Sequence, residues 1–232
     1  MKIFGKKQEF AIGLEFYVNE FKDDEYIKEN LEECWEAAKV YFWVKGKNIF
    51  EFINCADSTY ASTTLHALVD YFCDFLIFHI SDDPFPMDTK ATNADEMIEE
   101  TALIKTDEFW REEVLALDWD KIDMELYDKI DMWIYHHGFI QNRGGAFLPD
   151  AYMRKVNDTV EISWHNRYPH ENEEREFYFL HKQGVEYVDL ELYKDSVIKF
   201  CLEYINHVAE KFPEIAEIYI EKLQKTLGIQ SD

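Results

Sequence analysis

The sequence predicts an α+β fold: a mostly antiparallel sheet built from hairpins, packed with several helices, and a long helical pair at the C-terminal end. Three observations predict it. Runs rich in β-formers alternate at period two near both ends of the chain. Long stretches between and after them repeat apolar residues every three or four positions. Turn signals separate the period-two runs, which favours antiparallel neighbours.

The first strand is residues 10–18. Phe10, Ile12, Leu14, Phe16 and Val18 alternate with Ala11, Gly13, Glu15 and Tyr17. An acidic helix or loop is expected over 23–37. Residues 39–44 and 49–53 flank Lys45-Gly46-Lys47-Asn48 and read as a hairpin. Asp57 or Ser58 then caps a helix to residue 80, with Leu65, Leu68, Val69, Phe72, Cys73, Leu76 and Ile80 on its apolar face. Of these, Leu65, Val69, Phe72 and Leu76, with Trp164, are expected in the core. Residues 81–87, with Pro84 and Pro86, end that helix. The chain reads as one domain; any division into two lobes falls here, as 1–80 and 81–232.

Residues 82–131 hold 17 acidic and 5 basic side chains, about half of the net negative charge, in two or three helices. At about 100° per residue, Ile122, Leu126, Ile130 and Trp133 share one stripe of a helix over 119–137. Asp120, Asp128 and Asp131 face away from it, with Asp123 and Glu125 flanking them. Gly138 is placed to cap this helix. Residues 151–164 return to period two around a turn at Asn157-Asp158. Residues 176–180 and 185–190 read as a second hairpin around Lys182-Gln183-Gly184. Helices over 195–211 and 213–227 close the chain, with Pro213 at an N1 position and Gly228 as the C-terminal cap.

The charge is the strongest functional signal. With 48 Asp+Glu against 24 Lys+Arg, the chain carries −24, yet aromatic residues make up 16%. Disordered acidic segments lack such aromatic content, so the sequence describes a folded protein with a strongly negative surface. At this length roughly 70% of the unfolded surface is buried on folding. The charge excludes nucleic-acid binding and favours basic partners. No apolar run is long enough for a transmembrane helix, and residues 1–10 lack the pattern of a signal peptide. Cys34, Cys55, Cys73 and Cys201 are scattered and read as reduced thiols of a cytoplasmic protein.

Catalytic motifs are missing: no P-loop, no G-x-G-x-x-G and no G-x-S-x-G. No catalytic residue and no cofactor is assigned. Residues 118–123 resemble the start of a calcium loop but lack its glycine and final glutamate. Arg143-Gly144-Gly145 is too short for a phosphate cradle. His136 and His137 end a helix, where histidine complements the dipole. His165 and His170 bracket a polar loop. Their spacing fits no metal motif, and no metal is assigned; if strand and helix ends met, His137, His165 and His170 with the adjacent carboxylate of Glu171 would be the candidates for zinc or another divalent ion.

The block Trp133-x-x-x-His137, Gly144-Gly145-x-x-Leu148-Pro149-Asp150 and Val160-Glu161-Ile162-Ser163-Trp164 resembles a segment of uncharacterised bacterial proteins from toxin–immunity and phage-defence neighbourhoods. The resemblance covers only Trp133 to Trp164 and carries no site residues. It implies a bacterial conflict-system role.

The leading expectation is a non-enzymatic acidic binding protein that neutralises a basic protein partner such as a toxin or nuclease, as immunity proteins, inhibitors and nucleic-acid mimics do. Asp120, Asp123, Asp128 and Asp131 are the expected partner-binding residues. The competing expectation is an enzyme or sensor of a bacterial defence system, with its site near His136, His137, His165 and His170.

Overall fold

Large apolar residues at every second position make β2 (Phe10–Phe16) the centre of the larger sheet. The computed structural model describes residues 1–16, 37–54, 61–101, 124–139, 148–166, 170–172 and 175–229. The fold is α+β, and every strand pair among the described residues is antiparallel.

β2 lies between β1 (Lys2–Lys6) and β3 (Ala37–Val44). The sequence did not announce β1, because its apolar residues sit among lysines. Phe4 nevertheless packs on the core. The predicted hairpin at Lys45-Gly46 is real but short. Both residues have positive φ, as a two-residue hairpin turn requires, and only β4 (Lys47–Asn48) pairs back on β3. The Asn48 side chain then accepts from the Phe42 amide at 2.9 Å. That bond takes the place of the ladder, and the chain turns away at Ile49-Phe50. The rest of that edge of β3 is taken by β6 (Ala61–Thr64). So the first long helix does not start near Asp57 or Ser58, which lie outside the described residues. Ser62, Thr63 and Thr64 favour an extended edge, and α1 begins only at Leu65 (Leu65–Ile80).

The expected second hairpin is replaced by non-local pairing. β10 (Arg175–Phe179) pairs with β5 (Phe52–Asn54) and β9 (His170–Asn172). β11 (Gln183–Asp189) pairs instead with β8 (Thr159–His165), which also forms the expected hairpin with β7 (Ala151–Val156) through Asn157 at φ 55°. Gly184 is not a turn residue. It lies within β11 directly opposite Trp164, whose indole covers it. A Cβ on Gly184 would stand 2.3 Å from the Trp164 ring. Gly184→Ala therefore displaces a fully buried tryptophan, with an expected loss of about 1–3 kcal/mol. Urea unfolding measures it; an unaffected midpoint would mean that the indole has room to move.

The remaining helices are α2 (Ala94–Glu100), α3 (Met124–His137), α4 (Leu190–Ala209) and α5 (Pro213–Thr226). α4 starts a turn earlier than expected because Asp189 caps it, accepting from the Leu192 amide at 2.8 Å. α5 has Pro213 in its first turn and Gly228 at φ 67° after it, as the sequence indicates. Gly138 behaves differently. It does not adopt a left-handed cap. It bridges to Tyr152, and a Cβ there would meet the Tyr152 ring at 2.8 Å.

α4 packs on β1, β2, α1 and α5, and α1 on β7. Between them lies one aromatic-rich core that includes all five expected residues, Leu65, Val69, Phe72, Leu76 and Trp164. Phe139 meets Phe42 and Phe72 edge-on at 5.6 and 5.9 Å, and Phe72 meets Phe200 at 6.1 Å. Cys73 and Cys201 are free thiols inside this core. Cys34 and Cys55 lie outside the described residues. A smaller cluster of Ala94, Ile130, Trp133, Ile134 and Tyr152 joins α2 and α3 to β7. No helix among the described residues is long and apolar enough to cross a membrane.

Candidate functional site: an acid-rimmed groove beside a buried histidine hub

The C-terminal end of α1, the segment after it and one face of α3 enclose a groove of about 420 Å³. The α3 heptad-like spacing explains why both faces matter. Ile130, Trp133, Ile134 and His137 turn inward, while Glu125, Asp128, Lys129 and Met132 face the opening. Phe78, Pro84, Pro86, Met132 and Trp133 supply apolar walls; Asp83, Glu125 and Asp128 supply carboxylates. The proline segment is pinned to α3. Trp133 Nε1 donates to the Asp83 carbonyl at 3.2 Å, and Phe85 meets the indole edge-on at 4.9 Å. His136 stacks on Phe78 with ring centroids 3.9 Å apart.

Of the four expected partner-binding carboxylates, Asp128 lines this groove, and Asp131 lies half-buried one turn further along α3. Asp120 and Asp123 fall outside the described residues. Asp83 was missed, because a proline-containing stretch reads as a boundary rather than a wall. Burial raises the Asp83 carboxyl above its ordinary range, an effect that nearby His136 opposes. Burial lowers the His136 pKa, and Asp83 works against that.

Behind the groove lies a hub that sequence reasoning also missed. His79, on the apolar face of α1, is fully buried. Its Nε2 stands 3.0 Å from the His136 carbonyl, which can only accept, so Nε2 carries the hydrogen. Nδ1, 2.8 Å from the Tyr193 hydroxyl, then accepts from it. The Tyr71 hydroxyl lies 2.9 Å from Nε2 and donates to the same carbonyl at 3.3 Å. Three helices are joined by these bonds. The one signal in the sequence was a histidine three residues after Leu76, within an otherwise apolar stripe that ends at Ile80.

His137 is buried too. Its Nδ1 donates to the Trp133 carbonyl at 2.8 Å, its ring stacks on that indole, and Nε2 has no hydrogen-bond partner. Burial pushes the pKa of His79 down to about 3 and that of His137 down to about 4. Both are neutral at pH 7, so packing rather than the helix dipole accounts for His137. The sealed hub gives solvent no reactive group.

The structure does not bring His137 to His165. His165, at the end of β8, meets Asp95 and Glu99 of α2 instead, and His170 opens β9. Among the described residues, Asp95, Glu99 and His165 are a group whose donor atoms could hold a metal ion. No family model, no curated protein and no solved structure matches this chain.

Proposed function

We propose that this chain is an acidic, non-enzymatic binding protein that takes a basic segment of a protein partner into the groove between α1 and α3. One observation carries the reading: three carboxylates, Asp83, Glu125 and Asp128, rim apolar walls made by Phe78, Met132, Trp133 and two prolines. A side chain with an apolar stem and a cationic head, lysine or arginine, matches both parts. The net charge of −24 supports fast capture of such a partner through long-range attraction. A toxin or nuclease with a cationic groove is the partner class that suits this chemistry, as an immunity protein or inhibitor would require.

The test uses a labelled peptide of alternating arginine and leucine, with binding followed by fluorescence anisotropy at several salt concentrations. Asp83→Asn with Asp128→Asn should weaken binding about tenfold and flatten its salt dependence. Equal affinity and equal salt slope would place peptide binding elsewhere on the surface.

A further inference from the structure

We propose that Asp95, Glu99 and His165 form a site for one divalent transition-metal ion of the zinc or manganese type, separate from the groove. Sequence spacing assigns no metal here, because His165 on β8 is distant in the chain from Asp95 and Glu99 on α2. Folding brings them together. His165 Nδ1 lies 3.2 Å from Asp95 Oδ2 and 3.4 Å from Glu99 Oε1, and the three donor atoms lie within 4.8 Å of one another. Ligands held at about 2.0–2.2 Å from a metal stand roughly 3–3.5 Å apart at tetrahedral or octahedral angles. The two measured separations fall in that range.

The cluster is positioned by bonds that lie outside it. Glu161, Ser163 and His165 alternate along one face of β8. Glu161 Oε1 accepts from the Ala94 amide at 2.7 Å, and Ser163 Oγ accepts from the Asp95 amide at 3.2 Å. These two residues seat the start of α2. The third member of the row, His165, then meets the carboxylates. Glu161 is itself buried and held by Arg154, with contacts of 3.2 and 2.8 Å, and by the Tyr187 hydroxyl at 3.3 Å. Such outer contacts are what orient metal ligands in a working site.

Electrostatics points the same way. Asp95 and Glu99, four residues apart on one helix, repel each other, and a cation between them relieves this. Two carboxylates with one imidazole suit zinc or manganese; the nitrogen donor disfavours magnesium and calcium. Three protein ligands leave coordination positions open to water. Direct contact of His165 with the two carboxylates, with no ion between them, is the competing arrangement.

The test is calorimetric titration of the full chain, stripped with chelator, using zinc, manganese and magnesium chlorides. One equivalent of zinc should bind, more tightly than manganese, with magnesium far weaker. Glu99→Gln should weaken zinc at least tenfold. Glu99 is well exposed, with 45% of its side chain accessible, so this change leaves the fold intact. His165→Gln should do the same, and Glu191→Gln, on the exposed face of α4, should have no effect. Absence of saturable binding up to about 1 mM zinc would overturn the site. So would equal affinity in wild type and Glu99→Gln, which would mark diffuse binding by the acidic surface.

Discussion

Phe72→Ala should lower the unfolding free energy by roughly 3–5 kcal/mol. Phe72 is fully buried and touches Tyr71, His79, Phe139 and Phe200. Truncation removes a ring from the meeting point of α1, α4 and Phe139, two residues after α3. These elements are tied to several partners, so they cannot collapse into the space. For a chain of this size the thermal midpoint should fall by roughly 6–20 °C. A calorimetric scan decides it. A midpoint within a degree of wild type would show that this position is not the centre of the core.

Acidification should have an effect of similar size. His79 and His137 are held neutral by burial, with pKa values lowered to about 3 and about 4, whereas unfolded histidine titrates near ~6.5. Below that value the unfolded chain binds protons that the folded chain refuses. The stability these sites contribute is therefore complete above about pH 6.5 and is lost as pH falls toward 4 and then 3. Between about pH 6 and 4.5, two such sites should give a slope of about 2.7 kcal/mol per pH unit. His136, also lowered by burial, adds in the same direction. Relief of repulsion among carboxylates acts oppositely, so the comparison should be with His137→Gln. That variant should lose about half the slope in urea titrations at stepped pH. Parallel profiles for the two proteins would rule out His137 as a buried neutral base.

Local pattern made part of this fold legible. The apolar stripe of α1 and the turn at Asn157-Asp158 follow from spacing within a few residues. Pairing partners did not. β5 joins β10 across the chain, and no local periodicity distinguishes that from a hairpin closing on its neighbour. The same limit governs the site. Asp128 was readable because it opposes Ile130 and Trp133 on one helix. Asp83 depends on a proline segment folding back on Trp133. Asp95 and Glu99 could not be singled out among so many carboxylates until β8 placed His165 beside them. His79 looked like one more position on an apolar face; its role rests on Tyr193, more than a hundred residues away.

The packing of α4 against β1 and β2 has a consequence for biosynthesis. The first two strands leave the ribosome early, but Tyr193, which packs on Phe10 at 4.8 Å, and Phe200, which packs on Phe4, belong to a helix that emerges far later. At about 5–20 residues per second, the interval is on the order of ten to forty seconds. During that time Phe10, Ile12 and Leu14 lack their final cover, so the nascent chain presents an apolar sheet face to whatever holdase is nearby. Native cover for β1 and β2 thus awaits synthesis of α4, which starts only at Leu190.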